Sequence, residues 1–428
     1  MVRSLASRPG RRVQGLALVA AVVAALAGVG GAVAGPASPA APAALTGSAD
    51  RARNVIFIQG DGMGIAHREF IRLATKGRHG ELAMDSLRYS GWTHTDPADP
   101  EQAVTDSAAA ATAFASGVKT VNGAVGVDPA GRSVPTLLER ARAMGRSTGL
   151  VTTAQVTDAS PAAFGAHVPD RDDQSEIARQ FLVGSRPDVI LGGGEDRWFP
   201  PGTPGAYPDD EEEQSSGTEG NLVRRAEALG YDYVSTRAQL RASRSARLLG
   251  LFANEEMFTA ANEGEGAAYA PVVPLPEMAT KALDVLSKDR DGFFLFLEEE
   301  GIDEMAHSNN AHLVLAAGQA LDRTVAVAKA FAARHPGTLI LVEGDHETGG
   351  LAIENVDPAD ESGDAASAED GPFTVAGTDL QFTVDWTSGQ HTGAATPLTA
   401  EGPGAERLAR SQQNTAVHDA VLSAMRGR

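Results

Sequence analysis

The chain has 428 residues, 42% of them hydrophobic, enough for a large core built as one big α/β domain or two ordinary ones. Its formal net charge of −20 sets its surface against nucleic acid, and no basic aromatic stripe offsets that. It has no cysteine, which excludes disulfides, thiolate zinc sites and a cysteine nucleophile; any metal must use His, Asp, Glu or hydroxyl ligands.

The first 34 residues read as a signal peptide. Arg3, Arg8, Arg11 and Arg12 precede the apolar run Gly15 to Val29, and Ala32-Val-Ala34 is a small-residue cleavage pattern. The run is too short and too rich in Gly and Ala for a stable membrane span. The pair Arg11-Arg12 leaves both the twin-arginine and the general secretory route open. A secreted or periplasmic protein is expected, with a mature net charge near −24. Residues 35–50 read as a flexible Ala/Pro-rich leader and residues 51–428 as a single domain.

Asn54 to Ile58 reads as the first strand, ending in Gly60-Asp61-Gly-Met-Gly64. These glycines let the backbone turn sharply and present Asp61. They do not form a dinucleotide loop: Ile65 stands where the third glycine belongs, and Asp61 would repel a pyrophosphate. Thr105-Asp-Ser107 opens an Ala-rich helix that runs to Ala115 and stops at Gly117. Pro135 to Met144 predicts a helix and Thr148 to Thr153 a strand, followed by Asp158-Ala-Ser160. Asp188 to Leu191 and Leu248 to Phe252 are short strands, and Met278 to Ser287 and Ala311 to Ala333 are helices. Phe293 to Leu297 and Thr338 to Val342 are buried strands. The alternation favours one α/β unit with a mostly parallel sheet. Two acidic segments, 201–220 and 355–371, read as solvated surface insertions.

In an open parallel sheet, ligands bind beyond the carboxyl ends of the strands. Four predicted strands end there in candidate residues: Asp61; Asp158 with Ser160; Glu298 with Asp303; Asp345 with His346. Asp303 and His307, four apart, share a face if a helix begins there. Such pairs suggest two metals held by mixed oxygen and nitrogen ligands, and metal-assisted hydrolysis. Ser107 is the nucleophile candidate, at a helix N-terminus whose free N–H groups favour an anion. The plainer alternative makes Asp106 or Ser107 only a helix cap, and no histidine neighbours Ser107 in sequence. His391, in the polar turn Ser388 to Gly393, reads by itself as a surface residue. His67, His79, His94, His167, His312, His335 and His418 read as core or surface.

In order, these motifs resemble the alkaline phosphatases: Asp-Gly-Met-Gly from Asp61, Thr-Asp-Ser-Ala-Ala from Thr105, Asp-Ala-Ser-Pro-Ala from Asp158 with His-Val-Pro-Asp-Arg ending at Arg171, Glu298 with Asp303 and His307, Gly-Asp-His-Glu-Thr-Gly-Gly from Gly344, and Gly-Gln-His-Thr-Gly around His391. The resemblance implies a three-layer αβα sandwich, a phosphoserine on Ser107, two zinc ions and one magnesium. It implies one zinc on Asp303, His307 and His391, and the other on Asp61, Asp345 and His346. Magnesium falls to Asp61, Ser160 and Glu298, with Asp158 reaching it through water. Arg171 is implied to hold two phosphoryl oxygens, phosphate monoesters to be the substrates, inorganic phosphate a product inhibitor and a homodimer the assembly. Five clustered carboxylates would repel one another without cations, and three divalent ions reverse that sign. Glu304 departs from the family, in which Lys, His or Trp is common there. It predicts tighter magnesium binding and slower phosphate release.

Two other functions fit parts of this pattern. A phosphodiesterase or nucleotide pyrophosphatase could share the fold, but Arg171 suits the free oxygens of a monoester. A secreted metal- or phosphate-binding protein without turnover would not need the nucleophile Ser107.

Overall fold

The computed structural model describes residues 51–209, 213–261, 266–356 and 369–427. The expected signal peptide and leader lie outside them, as do residues 210–212 and 357–368 of the acidic segments. A ten-stranded sheet forms the middle of the molecule. Its strands are β1 (Asn54–Gly60), β2 (Tyr89–His94), β3 (Ser147–Gln155), β4 (Val189–Gly193), β5 (Asp232–Val234), β6 (Leu248–Leu251), β7 (Phe293–Glu299), β8 (Thr338–Gly344), β14 (Thr396–Glu401) and β15 (Ser411–Gln413). Between the last of these run β9 (Glu347–Thr348), β10 (Ala352–Asn355), β11 (Asp370–Thr374), β12 (Gln381–Asp385) and β13 (His391–Thr392). The sheet order is β15-β2-β14-β8-β1-β7-β3-β4-β6-β5. Every neighbouring pair from β8 to β5 is parallel, and β14 alone runs against its neighbours.

The central strands are apolar on both faces because helices cover both. Val55 and Phe57 of β1 and Phe294 and Phe296 of β7 face one core. The alternate residues Ile56, Ile58, Phe293 and Leu295 face the other. On the first side lie α2 (Ser107–Ser116), α3 (Ala159–Gly165) and α7 (Asn414–Arg426). On the second lie α1 (Ile65–Lys76), α4 (Leu275–Leu286) and α6 (Ala311–Arg334), and α5 (Gly301–His307) follows β7. The result is the expected three-layer αβα sandwich. Phe164 of α3 stacks on Phe296 with ring centroids 4.5 Å apart, and each such fully buried ring contributes about 1.5–3 kcal/mol.

This topology gathers the motifs. β1 lies between β7 and β8, so Gln59 is in register with Glu298 on one side and Glu343 on the other. The turns after all three strands therefore open at one edge. Gly62 makes the first turn with φ +67°, and a Cβ there would lie 2.5 Å from Asp303 Oδ1. Only glycine lets the two motifs approach so closely.

The acidic segments are less loop-like than expected. Asn355 and Asp370 belong to paired strands, and Asp370 is buried, accepting from Ala311 N at 2.8 Å and Trp386 Nε1 at 3.1 Å. In the other segment Ala206 N and Tyr207 N donate to Glu195, and Ser215 is buried.

Candidate active site

Ser107 is the first residue of α2. Asp106 caps that helix through Ala109 N at 2.9 Å, and its second oxygen accepts from Gly123 N at 2.7 Å. Of the two residues offered as a cap, Asp106 is the one that caps, and Ser107 is not used for it. The histidine absent from its sequence neighbourhood arrives from the end of β8. His346 Nε2 lies 3.2 Å from Ser107 Oγ.

Among the described residues, two groups of three side-chain donors converge within 4.8 Å: Asp61 with Asp345 and His346, and Asp303 with His307 and His391. In the first, His346 Nε2 is 3.2 Å from Asp345 Oδ2 and 3.5 Å from Asp61 Oδ1. Asp61 Oδ1 and Asp345 Oδ2 are buried and have no hydrogen-bond partner. Such orphaned oxygens are costly unless a cation meets them.

In the second group His307 Nε2 is 3.2 Å from Asp303 Oδ2 and 3.0 Å from His391 Nε2. The far nitrogens are spoken for: His307 Nδ1 faces the Gly389 carbonyl at 2.8 Å and His391 Nδ1 the Thr105 carbonyl at 3.0 Å. A proton on each Nδ1 leaves two Nε2 lone pairs converging, which a shared metal ion satisfies. Thr348 donates its hydroxyl to Asp303. His391 is neither in a turn nor on the surface, as its sequence suggested. It is half-buried in β13, which pairs with β9 and lays its ring on His346 with centroids 3.5 Å apart.

Asp61 also faces a third cluster. Gln59 Nε2 donates to Ser160 Oγ at 2.7 Å, to Asp61 Oδ2 at 3.2 Å and to Glu298 Oε1 at 3.3 Å. The amide thus sits among all three residues that the resemblance implies for magnesium. Thr152 fixes the other Glu298 oxygen at 2.6 Å. Arg171 Nη2 pairs with Asp158 Oδ1 at 2.9 Å, and Nη1 lies 3.8 Å from Asp106 Oδ2, which keeps the guanidinium near Ser107.

The electrostatics fit a cluster built around cations. Burial, then Asp303, pushes Asp61 up to about 7. Burial, then Asp61, holds Asp345 and Glu298 well above the usual carboxyl range. Burial also raises Asp303, but hydrogen bonds with His307 and His391 outweigh it and hold the carboxyl low. Burial, then His391, keeps His346 well below its ordinary value. It is therefore neutral, as a metal ligand must be.

Every sequence-predicted site residue lies at this one edge. The sequence reading missed Gln59, Thr152, Thr348 and Glu343. Glu343 is fully buried with both oxygens unpartnered. Gln59 was legible: it is a polar residue in an otherwise apolar strand, two places before Asp61.

Two His/Asp triads beside a serine at a helix N-terminus define a metal-dependent hydrolase for anionic esters. A family model described as alkaline phosphatase matches residues 52–379 and stops short of His391. The streptomycin-6-phosphate phosphatase of Streptomyces griseus is 37% identical, over 87% of this chain and 90% of that protein. The Thermus thermophilus alkaline phosphatase superposes with a TM-score of 0.73 at 25% identity, over 91% of this chain and 96% of that one. A variant of TAB5 alkaline phosphatase, with magnesium bound in its M3 site, gives a TM-score of 0.69 at 26% identity, over 88% and 99%. The chain belongs to the alkaline phosphatase family and is a phosphatase. No helix among the described residues is long and apolar enough to cross a membrane.

Proposed function

We propose that the enzyme is exported and hydrolyses phosphate monoesters through a phosphoserine on Ser107. The observation that carries this reading is the Ser107 hydroxyl, 3.2 Å from a histidine that belongs to a metal-ready triad. Asp61, Asp345 and His346 would hold one zinc, and Asp303, His307 and His391 the other. Asp61, Ser160 and Glu298 would hold magnesium, with Asp158 reaching it through water. The orphaned oxygens of Asp61 and Asp345 and the facing imidazole nitrogens support the zinc assignment. Oxygens of Asp61, Ser160 and Glu298 converge on one electropositive group, the Gln59 amide N–H, and that convergence supports a shared cation as their alternative partner.

Divalent ions bound there supply Lewis acidity at the attacking and leaving oxygens. Ser107 Oγ bonds to phosphorus while the ester oxygen departs, and water then breaks the new bond and regenerates the hydroxyl. The N–H groups at the start of α2 face the phosphoryl oxygens. Arg171 takes two of them through its planar fork. A diester offers fewer free oxygens to that fork. Released phosphate meets the same partners, which makes it a competitive inhibitor.

The identity to the Streptomyces griseus enzyme favours a second reading of the substrate, streptomycin 6-phosphate. It uses the same chemistry. One assay tests the proposal: p-nitrophenyl phosphate against bis-p-nitrophenyl phosphate in alkaline buffer, with and without EDTA. The monoester should be hydrolysed far faster and only without chelator. Faster diester cleavage would overturn it.

A further inference from the structure

Beside Asp158, the rim of this site carries three carboxylates, Glu256, Glu300 and Glu304, to which the phosphoryl chemistry gives no role. The end of β3 brings two of them together: Met257 N donates to the Thr153 carbonyl at 2.9 Å and Glu300 N to Thr153 Oγ1 at 3.0 Å. That seats Glu256 and Glu300 on one residue. Glu304 lies one turn beyond Glu300, its N–H directed to the Glu300 carbonyl at 3.4 Å, so the two side chains share a face of α5. Asp158 completes the group, close enough to Glu300 for the two carboxyls to act on each other.

This group is short of positive charge. Among the described residues, Arg171 on Asp158 is the one cationic side chain bonded to any of the four. Glu256 accepts from a neutral partner, Gln155 Nε2, at 2.8 Å. Glu300 is only 6% exposed, and its Oε2 has no partner. Asp158, Glu256 and Glu304 are each half-buried, so the group borders solvent. Tyr269 ties the neighbouring Glu299 down, donating to its Oε2 at 2.6 Å, and stacks on Phe258.

A bare metal ion is a poor occupant. The side-chain oxygens of Glu256, Glu300 and Glu304 do not join either group of donors that converges within 4.8 Å. Spread carboxylates suit a larger cation with several N–H donors. We propose that this rim binds an ammonium or guanidinium group on the alcohol part of the phosphate ester, and that the enzyme selects cationic monoesters. The inference rests on the phosphomonoesterase reading above. The added carboxylates oppose a bare phosphate dianion, whereas a zwitterionic ester gives each of its charges an opposite partner.

The test compares ω-ammonioalkyl phosphates of two to four carbons with ω-hydroxyalkyl phosphates of equal length. The readout is the ratio of kcat/KM values within one protein, so any loss of metal from a variant cancels. In the wild type the ammonium ester should win by about tenfold at one chain length. Glu256→Gln, Glu300→Gln and Glu304→Gln should each bring that ratio towards one. A wild-type ratio near one, or a preference that survives all three substitutions, overturns the proposal alone. A fourth divalent ion per chain, lost in Glu300→Gln by metal analysis, also overturns it. No hydrolysis of either ester sinks the phosphomonoesterase reading together with this one.

Discussion

The two triads have similar ligands and opposite surroundings. Asp61, Asp345 and His346 are sealed, none more than 3% exposed. In the other triad the His307 side chain is 28% exposed and that of His391 is 19% exposed. The sealed triad touches Ser107, and the open one faces solvent. A nucleophile gains from a site that excludes water, whereas a departing alcohol and an incoming water need a door. Near-identical donor sets thus sit in different surroundings: one is sealed beside Ser107, and the other is edged by the two-stranded pair β9 with β13.

Substitutions in each triad put this contrast to the test. The largest effect belongs to Ser107→Ala. Turnover should fall by at least about a thousandfold while both triads keep their metal, checked by elemental analysis. Metal lost along with activity would mean that Ser107 helps to build the sealed site. Next come paired ligand changes. Asp345→Asn removes a charged donor from the sealed triad and should cost metal and, in the metal-loaded protein, several degrees of melting temperature. His391→Gln should cost metal affinity, about 10- to 100-fold, with little change in melting temperature. Equal melting shifts would erase the distinction between sealed and open.

Arg171→Ala should weaken inhibition by inorganic phosphate about tenfold, since one bidentate pair is lost. An unchanged inhibition constant would remove Arg171 from the phosphate site. The smallest effect is one of pH on the EDTA-treated protein. Asp61 is raised from 3.8 to about 7, by burial first, so its protonated form favours folding. That contribution is complete below pH 4 and is lost as pH rises through 7. His307, raised to about 9 by its hydrogen bond to Asp303 against burial, has the same sign between 6.5 and 9. The melting temperature of the metal-free protein should therefore fall by several degrees from pH 4 to 9. Adding divalent ions should restore it most at the alkaline end. A metal-free protein that grows more stable with pH would contradict both assignments.

The fold was legible because its strands are continuous apolar runs, which only a sheet covered on both faces makes safe. The primary ligands were legible because Asp61, Asp303, Asp345 and His346 interrupt those runs where a parallel sheet binds ligands. Their supports were not. Thr152 and Thr348 are ordinary strand residues until the register sets them against Glu298 and Asp303. His391 looked like a turn because its two-residue strand has no periodicity and exists only through pairing with Glu347 and Thr348. The rim around Glu300 was half-visible: Glu304 stood out as a departure, but Glu256 lies far off in sequence and is brought in by Thr153.

The position of β1 has a consequence for how the chain matures. The first strand waits in the middle of the sheet for β7 and β8, and the last ligand follows more than 300 residues after the first. No early fragment can assemble either triad, and contacts of such span form late and slowly. Metal capture therefore reports completed folding. A chain that stops before His346 contains neither complete triad, so metal held there would mark a finished molecule.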